Sequence, residues 1–510
     1  MNINLDNDIS VGLKKSKFFF LTLTFISSII QTFIGPINYE LLFILIIIIF
    51  SNIILVNVFF DQENLKRYFF PCVIILAANL FYLSFPLFSK TLLLQNITIN
   101  LDLPLNSFGI SSVYFFSILF SFTIIKNNEE KKILIKKKTL GYLKIFTYSN
   151  IKSTNIIFIF FFIIKIYITV FDRGVNSSTE YGDITMKLLY GIDLLFFLPF
   201  ILYFQLYFFK KEISLKFFSI ILFIYLFSSF ILGLSTNSRS IMVEGIFTII
   251  ICFIFVIIFK KNYFNFKKMI TFLISLFILI FIVNYSSDKI LDVRVDRANV
   301  STYDIFQKSL SSNVGVHKFD NGIVKIEDYT GFNALDRFNK IKYLDKSLYY
   351  SGFLSPIEKE ILTKISVMKI ISLIPTNIIR LFDQDFNKRD HDIHTGSFIE
   401  YNSGIRFGGL KSRASFLNEL FIITDSIILS FFITIILFMI FFKVIFFFQK
   451  TQNNEIVFSP IIFILIYQFS YTIGADSLGQ FFGSVFRLTF QTTIIYHFIM
   501  LFNLKLLDKK

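Results

Sequence analysis

Long runs of apolar residues, separated by short polar connections, recur along almost the whole chain. A helix that crosses a bilayer needs about 20 consecutive apolar residues, and about 12 of these runs approach that length. The predicted spans lie at residues 18–34, 39–60, 68–88, 108–125, 154–171, 187–209, 217–234, 240–259, 269–285, 420–442, 456–474 and 480–502. The pattern predicts an all-α polytopic membrane protein and excludes a soluble globular fold.

One long polar segment interrupts this series of spans. It divides the chain into an N-terminal transmembrane bundle of about nine spans at 1–285, a large loop at 286–419, and a C-terminal group of about three spans at 420–510. The loop is rich in Arg, Asp and His, whereas the runs on either side of it are almost wholly apolar. We therefore expect the loop to form an extramembrane structure and to carry the chemistry of the protein.

The large loop contains two predicted short helices. Ser355, followed by a proline, is a typical helix start, and a helix is predicted from there to about Leu373, ended by Pro375. Its apolar stripe suits either the membrane surface or the underside of the loop. A second short helix is predicted around residues 335–344, with Arg337 on a polar side.

Basic residues are concentrated on alternate connections between the predicted spans. One set of connections holds most of the lysines, including the cluster at 131–138, whereas the opposite short connections hold little more than Lys90, Arg173 and Arg239. Cytoplasmic connections carry the excess of Lys and Arg, so both termini are predicted to be cytoplasmic and the large loop to face outward. The net charge of +15 has the same origin, and no nucleic-acid partner is predicted.

Ionisable residues within or beside the predicted spans fall in the outer half of the membrane. They are Lys165, Asp193, Arg239, Glu244, Asp425 and Arg487. Charges at membrane depth are costly and usually mark a site, although Lys and Arg near helix ends also reach the interface by snorkelling. Together these residues predict a polar cavity that opens outward beneath the large loop, whereas a transport path needs polar groups across the full depth.

Ser238 and Arg239 form an outward turn between two predicted spans. Arginine opposes the topology bias at this place, and its planar fork suits bidentate contact with a phosphate. Hydroxyl groups and backbone amides of the turn would add neutral donors for the same anion. The alternative is an interfacial arginine that binds lipid headgroups.

A second group of candidate residues lies at the end of the large loop. His391 and His394 stand three residues apart beside aspartates, but no third ligand follows, so we predict no metal and no cofactor. A histidine beside a carboxylate could instead act as a general base. Arg406 and Arg413, near a pair of glycines, could clamp a diphosphate, and Glu419 is a candidate acid, base or arginine partner.

These features resemble the bacterial O-antigen polymerase family, also called oligosaccharide repeat-unit polymerases. The resemblance rests on about a dozen spans with one long outward loop in the second half of the chain. It also rests on Ser238-Arg239 followed directly by a span, and on Gly408-Gly409 followed by Asn418-Glu419-Leu420-Phe421 at the entry to another span.

The resemblance implies a transferase at the outer face of the cytoplasmic (inner) membrane of a bacterium. It would polymerise oligosaccharide repeat units linked to undecaprenyl diphosphate into O-antigen or capsular polysaccharide, with the lipid diphosphate as leaving group and no cofactor. Its partners would be the lipid-linked oligosaccharide and membrane lipid, with a chain-length regulator and a flippase as further candidates. The implied substrate-binding residues are Ser238, Arg239, Arg337, Arg406, Arg413 and Arg487, and the catalytic candidates are His391, His394 and Glu419.

Two other classes of membrane protein share parts of this pattern. An O-antigen ligase or another outer-face glycosyltransferase has a similar layout and a loop with His and Arg, but passes the glycan to a different acceptor. A lipid-linked oligosaccharide flippase also fits about 12 spans with both ends inside. The long loop and the outer-half charges fit a flippase poorly, and polymerisation is the leading hypothesis.

Overall fold

The computed structural model describes residues 2–4, 10–129, 144–147, 149–169, 184–236, 239–259, 307, 336, 338–374, 376–391, 393–404, 414–452, 455–473 and 477–507. Helices dominate these residues. They are α1 (Ser10–Ile34), α2 (Tyr39–Phe59), α3 (Gln62–Asn79), α4 (Phe85–Leu92), α5 (Pro104–Glu129), α6 (Ile151–Tyr167), α7 (Ile184–Asp193), α8 (Leu198–Gln205), α9 (Leu215–Ser235), α10 (Arg239–Phe259), α11 (Ile341–Ser351), α12 (Pro356–Ile371), α13 (Thr376–Ile379), α14 (Thr395–Asn402), α15 (Phe416–Thr424), α16 (Ile427–Phe446), α17 (Pro460–Ile473), α18 (Leu478–Phe482) and α19 (Thr489–Leu507).

Eight helical stretches among the described residues are long and apolar enough to cross a membrane. They are Leu13–Ile34, Tyr39–Phe59, Gln62–Leu92, Pro104–Asn127, Leu189–Lys210, Leu215–Ser235, Ile427–Phe446 and Leu478–Phe502. Each coincides with a predicted span, which confirms a multi-pass, mainly α-helical membrane protein. The predicted spans 240–259 and 456–474 contain the shorter apolar stretches Glu244–Val256 and Pro460–Ser470. The predicted span 154–171 overlaps α6, and the span 269–285 lies outside the described residues.

Three of these stretches contain wider, π-helical turns, and the one in Leu189–Lys210 lies at its end, at Leu206–Lys210. A π-helical turn at Leu80–Ser84 joins α3 to α4, and another at Gly483–Leu488 joins α18 to α19, so that each set forms one continuous rod. α3 also contains Pro71, and the backbone of Tyr68 leaves the helical region at φ −130° and ψ 38°. A proline inside a helix removes one backbone hydrogen bond and crowds the preceding turn, which accounts for this kink.

Short polar side chains determine where several helices begin. Asn38, Asp61, Asn150, Ser214 and Ser426 each accept a hydrogen bond from a backbone N–H in the first turn of the helix that follows. The first backbone N–H groups of a helix have no partner within it, so a side-chain acceptor at this position stabilises the start. These caps separate consecutive apolar helices where hydrophobicity alone gives no clear boundary.

A small antiparallel sheet connects the N-terminus with the connection between α16 and α17. β1 (Asn2–Asn4) pairs with β3 (Glu455–Phe458), which also pairs with β2 (Gln449–Gln452). In this register Ile3 lies opposite Ile456. The N-terminal segment and this connection therefore lie at the same end of the molecule, as the alternation of basic residues predicts.

The predicted span 420–442 begins seven residues later than its apolar pattern suggests. Asp425 has a left-handed backbone with φ +49°, which ends α15, and Ser426 then caps α16. Aspartate tolerates the left-handed region better than most residues because its short side chain hydrogen-bonds locally. Glu419 therefore lies on a separate short helix before the membrane helix, rather than at the mouth of the span.

The two short helices predicted in the large loop are both present. The helix predicted from Ser355 is α12, and Ser355 and Glu358 form a reciprocal capping box at its start. The second helix, predicted at 335–344, overlaps α11 (Ile341–Ser351), and Asp336 and Phe338 before α11 are helical as well. The predicted residue Arg337 lies outside the described residues.

α11 joins the polar segment to the membrane helices. The buried carboxylate of Asp345 accepts hydrogen bonds from the backbone N–H groups of Asp102 and Leu103, at 2.7 and 2.9 Å, and from the Ser107 hydroxyl at 2.8 Å. Lys346 forms an ion pair with Asp102 at 2.6 Å. Asp345 therefore caps the start of α5 from a distant part of the sequence and holds the polar segment at that end of the bundle.

Candidate functional site

The carboxylate of Glu419 is the centre of a buried polar cluster made by four separate segments. Ser366 on α12 donates its hydroxyl to one carboxylate oxygen, and the backbone N–H of Leu478 donates to the other at 2.6 Å. Thr395, at the start of α14, also hydrogen-bonds this carboxyl group. Lys369, one turn after Ser366, donates to the Thr395 hydroxyl at 2.8 Å. The Glu419 side chain is completely buried.

Sequence spacing places two of these groups on one face of α12. Leu362 and Ser366 are its two buried residues, and Lys369 follows on the same face at helical spacing. Ile357 and Ile361 of the predicted apolar stripe are instead exposed. The buried face of α12 therefore contains Leu362 and Ser366, whereas the apolar stripe lies on the neighbouring face that contains Ile361.

A glycine allows α12 to approach the start of the last membrane helix. A Cβ atom at Gly479 would lie 2.8 Å from the Cβ atom of Lys369, closer than real contacts of this kind. Ser477 caps α18 by accepting the N–H of Gln480, which leaves the N–H of Leu478 directed at Glu419. Glu419 therefore occupies a helix N-terminus, where partial positive charge stabilises an anion.

Burial raises the pKa of Glu419 above its ordinary value. The hydrogen bonds from Ser366 and Leu478 and the positive charge of Lys369 act in the opposite direction but do not outweigh burial. A carboxyl group with a raised pKa and several fixed hydrogen bonds is suited to taking up a proton more readily than an exposed glutamate does. This is the property required of a general base for a sugar hydroxyl.

Two polar side chains near Glu419 are buried without a hydrogen-bond partner among the residues that the structure describes. Both amide atoms of Asn418 and the hydroxyl of Ser415 are in this condition, and both residues are almost inaccessible. Ser415 and Asn418 are three residues apart, so they lie on neighbouring positions of one helical face. Buried amide and hydroxyl groups normally have partners, and these two can therefore serve a ligand or water.

A layer of aromatic rings lies beside the start of α15. The ring of Phe416 packs against Tyr114 at 5.6 Å and against Phe481 at 5.2 Å between centroids. Tyr114 and Phe481 both also contact Phe438, in the middle of α16. Glu419 is three residues further toward the Asp425 end of α15, about 4.5 Å along a helix axis. The cluster thus lies to one side of an apolar layer that joins α5, α15, α16 and α18.

The predicted histidines lie near this cluster in the chain but differ in their surroundings. His391 is half-buried and stacks on Phe386, with ring centroids 5.3 Å apart. His394 is exposed, precedes the first turn of α14, and is followed directly by Thr395, which belongs to the cluster. Of the three predicted catalytic residues, Glu419 has the buried, hydrogen-bonded environment.

Four of the six predicted anion-binding residues lie outside the part of the chain that the structure describes. Ser238, Arg337, Arg406 and Arg413 lie outside the described residues, and Arg239 begins α10 without a described side chain. Arg487 is described: it lies in the π-helical turn Gly483–Leu488, and its side chain is exposed.

Two of the predicted ionisable residues within the membrane pair with each other. The ammonium group of Lys165 on α6 lies 2.8 Å from both carboxylate oxygens of Asp193 on α7, and the two side chains are 10% and 11% exposed. Glu244 accepts a hydrogen bond from Gln468 at 3.4 Å. Lys165 and Asp193 thus form an ion pair that links two helices, a pairing that the sequence analysis did not predict.

The sequence-based interpretation did not include Ser366 and Lys369, and it did not assign roles to Thr395 and Asn418. The available signal for the first two was their spacing from Leu362 on α12, which was obscured by a stronger apolar stripe on another face. No local pattern connects α12 to Glu419, because residues 366 and 419 meet only through the tertiary packing.

No protein-family model, no curated protein and no solved structure matches this chain.

Proposed function

We propose that this protein is a glycosyltransferase that polymerises undecaprenyl-diphosphate-linked oligosaccharide repeat units into O-antigen or capsular polysaccharide. In this proposal the chain crosses the cytoplasmic membrane about 12 times, with both termini inside and the segment 286–419 outside. The observation that carries the proposal is the buried Glu419 carboxyl, held by Ser366, Thr395 and the Leu478 N–H. These contacts keep one potential proton acceptor in a fixed position.

In the proposed reaction, one part of the protein accepts the proton and another binds the leaving group. A hydroxyl oxygen of the acceptor sugar attacks the anomeric carbon of the donor glycan and forms the new glycosidic bond. The bond from that carbon to the diphosphate oxygen breaks with its electron pair, and the hydroxyl proton passes to Glu419. The candidate ligands for the departing diphosphate are Arg239, Arg406, Arg413, Arg337 and Arg487, because guanidinium groups bind phosphate oxygens bidentately.

Glu419 is preferred to the histidines as the base because of its burial and its raised pKa. A base works best when its pKa lies near the working pH, and burial moves a glutamate in that direction. Lys369 and Thr395 would hold the carboxyl group in place as positioning residues. Asn418 and Ser415 are the available donors and acceptors for hydroxyl groups of the bound sugar.

The aromatic layer beside Phe416 favours an enzyme over a transporter. A lipid-linked oligosaccharide that crosses the membrane needs a polar path through the full thickness of the bundle. The rings of Tyr114 and Phe481 are instead buried and both pack against the buried ring of Phe438, beside the helix that carries Glu419. The polar groups of the cluster therefore suit a reaction at one membrane face.

The test is the gel profile of the surface polysaccharide from cells that lack the gene and receive it back as wild type, Glu419→Gln or Arg239→Ala. We expect the ladder to collapse to a single repeat in the deletion and in both variants, at normal protein levels. Glu360→Gln is the matched control, because Glu360 lies on α12 with a side chain that is 67% exposed. It should restore the full ladder.

Other outcomes of the same experiment would identify a different function. Long polymer that accumulates on the lipid carrier in the deletion strain would indicate a ligase. Loss of the single-repeat glycan would indicate a flippase or an enzyme that assembles the repeat. A normal ladder with Glu419→Gln would remove Glu419 from the reaction, and a normal ladder in the deletion strain would refute the proposal as a whole.

A further inference from the structure

α12 and the start of the last membrane helix lie side by side and run in the same direction. Lys369 contacts Gly479, and four residues later in both helices Leu373 contacts the Gly483 position, at 3.4 Å from an ideal Cβ atom. Gly483 is five residues beyond Leu478, which is about 7.5 Å along a helix axis. The C-terminal end of α12 therefore lies further into the membrane helix Leu478–Phe502 than its N-terminal end does.

The chain after α12 turns and comes back along it. The Lys388 ammonium group donates to the carbonyl oxygens of Ser372 and Ile374, the latter at 2.7 Å, and Thr395 is again beside Lys369. Residue 388 is thus level with the end of α12, and residue 395 is one turn back toward its start. Residues 376–387 form the tip of a helical hairpin that points along the last membrane helix.

This tip exposes large apolar side chains. Ile378 is 48% exposed, Leu381 79% and Phe382 88%. On the membrane helix, Phe486 and Phe490 follow Gly483 at helical spacing and are 44% and 70% exposed. The exposed apolar surface of the tip therefore begins next to Phe486 and Phe490. These two residues form an exposed apolar surface of the kind that faces lipid.

We propose that the tip of this hairpin inserts Leu381 and Phe382 into the lipid bilayer beside the last membrane helix. Its depth is set by the polar residues around it: Arg380, Asp383 and Asp385 are exposed and require contact with water or headgroups. The tip thus lies at the boundary between headgroups and acyl chains rather than at the bilayer centre.

The capping of α12 by Lys388 suits this environment. The last carbonyl groups of a helix have no partner within it and need donors from elsewhere. Lys388 donates to the carbonyl group of Ser372, the residue directly after α12, and to that of Ile374 in the turn that follows. A lysine with a long apolar stem can do this while its charge remains close to the interface.

The test uses the absence of tryptophan from the chain. A single Phe382→Trp substitution makes one indole the only fluorophore of its kind in the full-length protein, reconstituted in phosphatidylcholine vesicles. Quenching by brominated lipids and by aqueous iodide then reports the surroundings of residue 382. Phe490→Trp is the control for a lipid-facing position, and Tyr401→Trp, at a residue 75% exposed on α14, is the control outside the membrane.

We expect Phe382→Trp to be quenched by lipid brominated near the headgroup about as strongly as Phe490→Trp, and to be at least severalfold less sensitive to iodide than Tyr401→Trp. Leu381→Trp should behave in the same way. Quenching by iodide equal to that of Tyr401→Trp, with no effect of brominated lipid, would overturn the proposal. The result does not depend on the reaction that the protein catalyses.

Discussion

Gly479 and Lys369 are in direct contact, and this contact brings α12 to the N-terminus of the last membrane helix. A methyl group at Gly479 would come within 2.8 Å of the lysine Cβ atom. The same approach allows the Leu478 N–H and the Ser366 hydroxyl to reach Glu419 from opposite helices. The geometry of the candidate site thus depends on a residue that contributes no side chain to it.

Gly479→Ala is expected to separate α12 from α18 and to loosen the cluster around Glu419. Overpacking of this kind usually costs about 1–3 kcal/mol. Thermal unfolding in detergent should therefore show a lower midpoint, together with a shortened polysaccharide ladder. Gly109→Ala is the matched control, because a Cβ atom there would meet open space on α5. An unchanged midpoint for Gly479→Ala would contradict the close approach.

Asp345→Ala is expected to weaken the attachment of the polar segment to the bundle. The substitution leaves the N–H groups of Asp102 and Leu103 and the Ser107 hydroxyl without their acceptor. Each buried group left unsatisfied costs about 1–3 kcal/mol, so the free energy of unfolding should fall by at least about 2 kcal/mol. Asp383→Ala, at an exposed position, is the control and should have little effect.

Glu419→Gln is expected to change the pH dependence of stability. Because burial raises the pKa of Glu419, the folded protein holds this proton more tightly than the unfolded chain does. The stability that this contributes is complete below the ordinary pKa of 4.5 and is lost as the pH rises through the raised pKa. The unfolding midpoint of the variant, relative to wild type, should therefore increase over this range.

For the control, Glu360→Gln, the expected change of the unfolding midpoint with pH has the opposite sign. Hydrogen bonding to Lys364 and its charge lower the pKa of Glu360, which contributes stability that is lost as the pH falls. The midpoint of Glu360→Gln relative to wild type should therefore change slightly in the other direction. A midpoint difference for Glu419→Gln that does not vary with pH would show that Glu419 has no raised pKa.

Lys165→Met is expected to destabilise the bundle because it leaves Asp193 buried without its cation. Removing one partner of a buried ion pair costs about 3–5 kcal/mol, whereas replacing both with apolar residues costs much less. The double variant with Asp193→Leu should therefore recover most of the lost stability in detergent unfolding. Lys364→Met is the control: its pair with Glu360 is largely exposed, and such pairs contribute about 0–1 kcal/mol. Equal losses in the single and double variants would contradict this account.

Local sequence patterns were sufficient for most of the membrane helices and for α12. An apolar run long enough to cross a bilayer can hardly form anything other than a helix, because every backbone polar group must be satisfied within the segment. The start of α12 was equally predictable, since Ser355, a following proline and Glu358 form a complete capping box. The boundary at Asp425 was not, because apolar residues continue on both sides of a single left-handed residue.

The candidate site shows most clearly which features the sequence predicts and which depend on the tertiary structure. Glu419 could be selected from the sequence because a carboxyl group at the edge of an apolar run is costly and stands out. Ser366, Thr395 and the N–H of Leu478 could not, since they come from three other segments and carry no signal of their own. The spacing of apolar residues is a signal between neighbouring helical turns, so it predicts where a helix forms but not which helices pack together. The positions of donors around Glu419 depend on how α12, α14, α15 and α18 pack, and only the tertiary structure decides that.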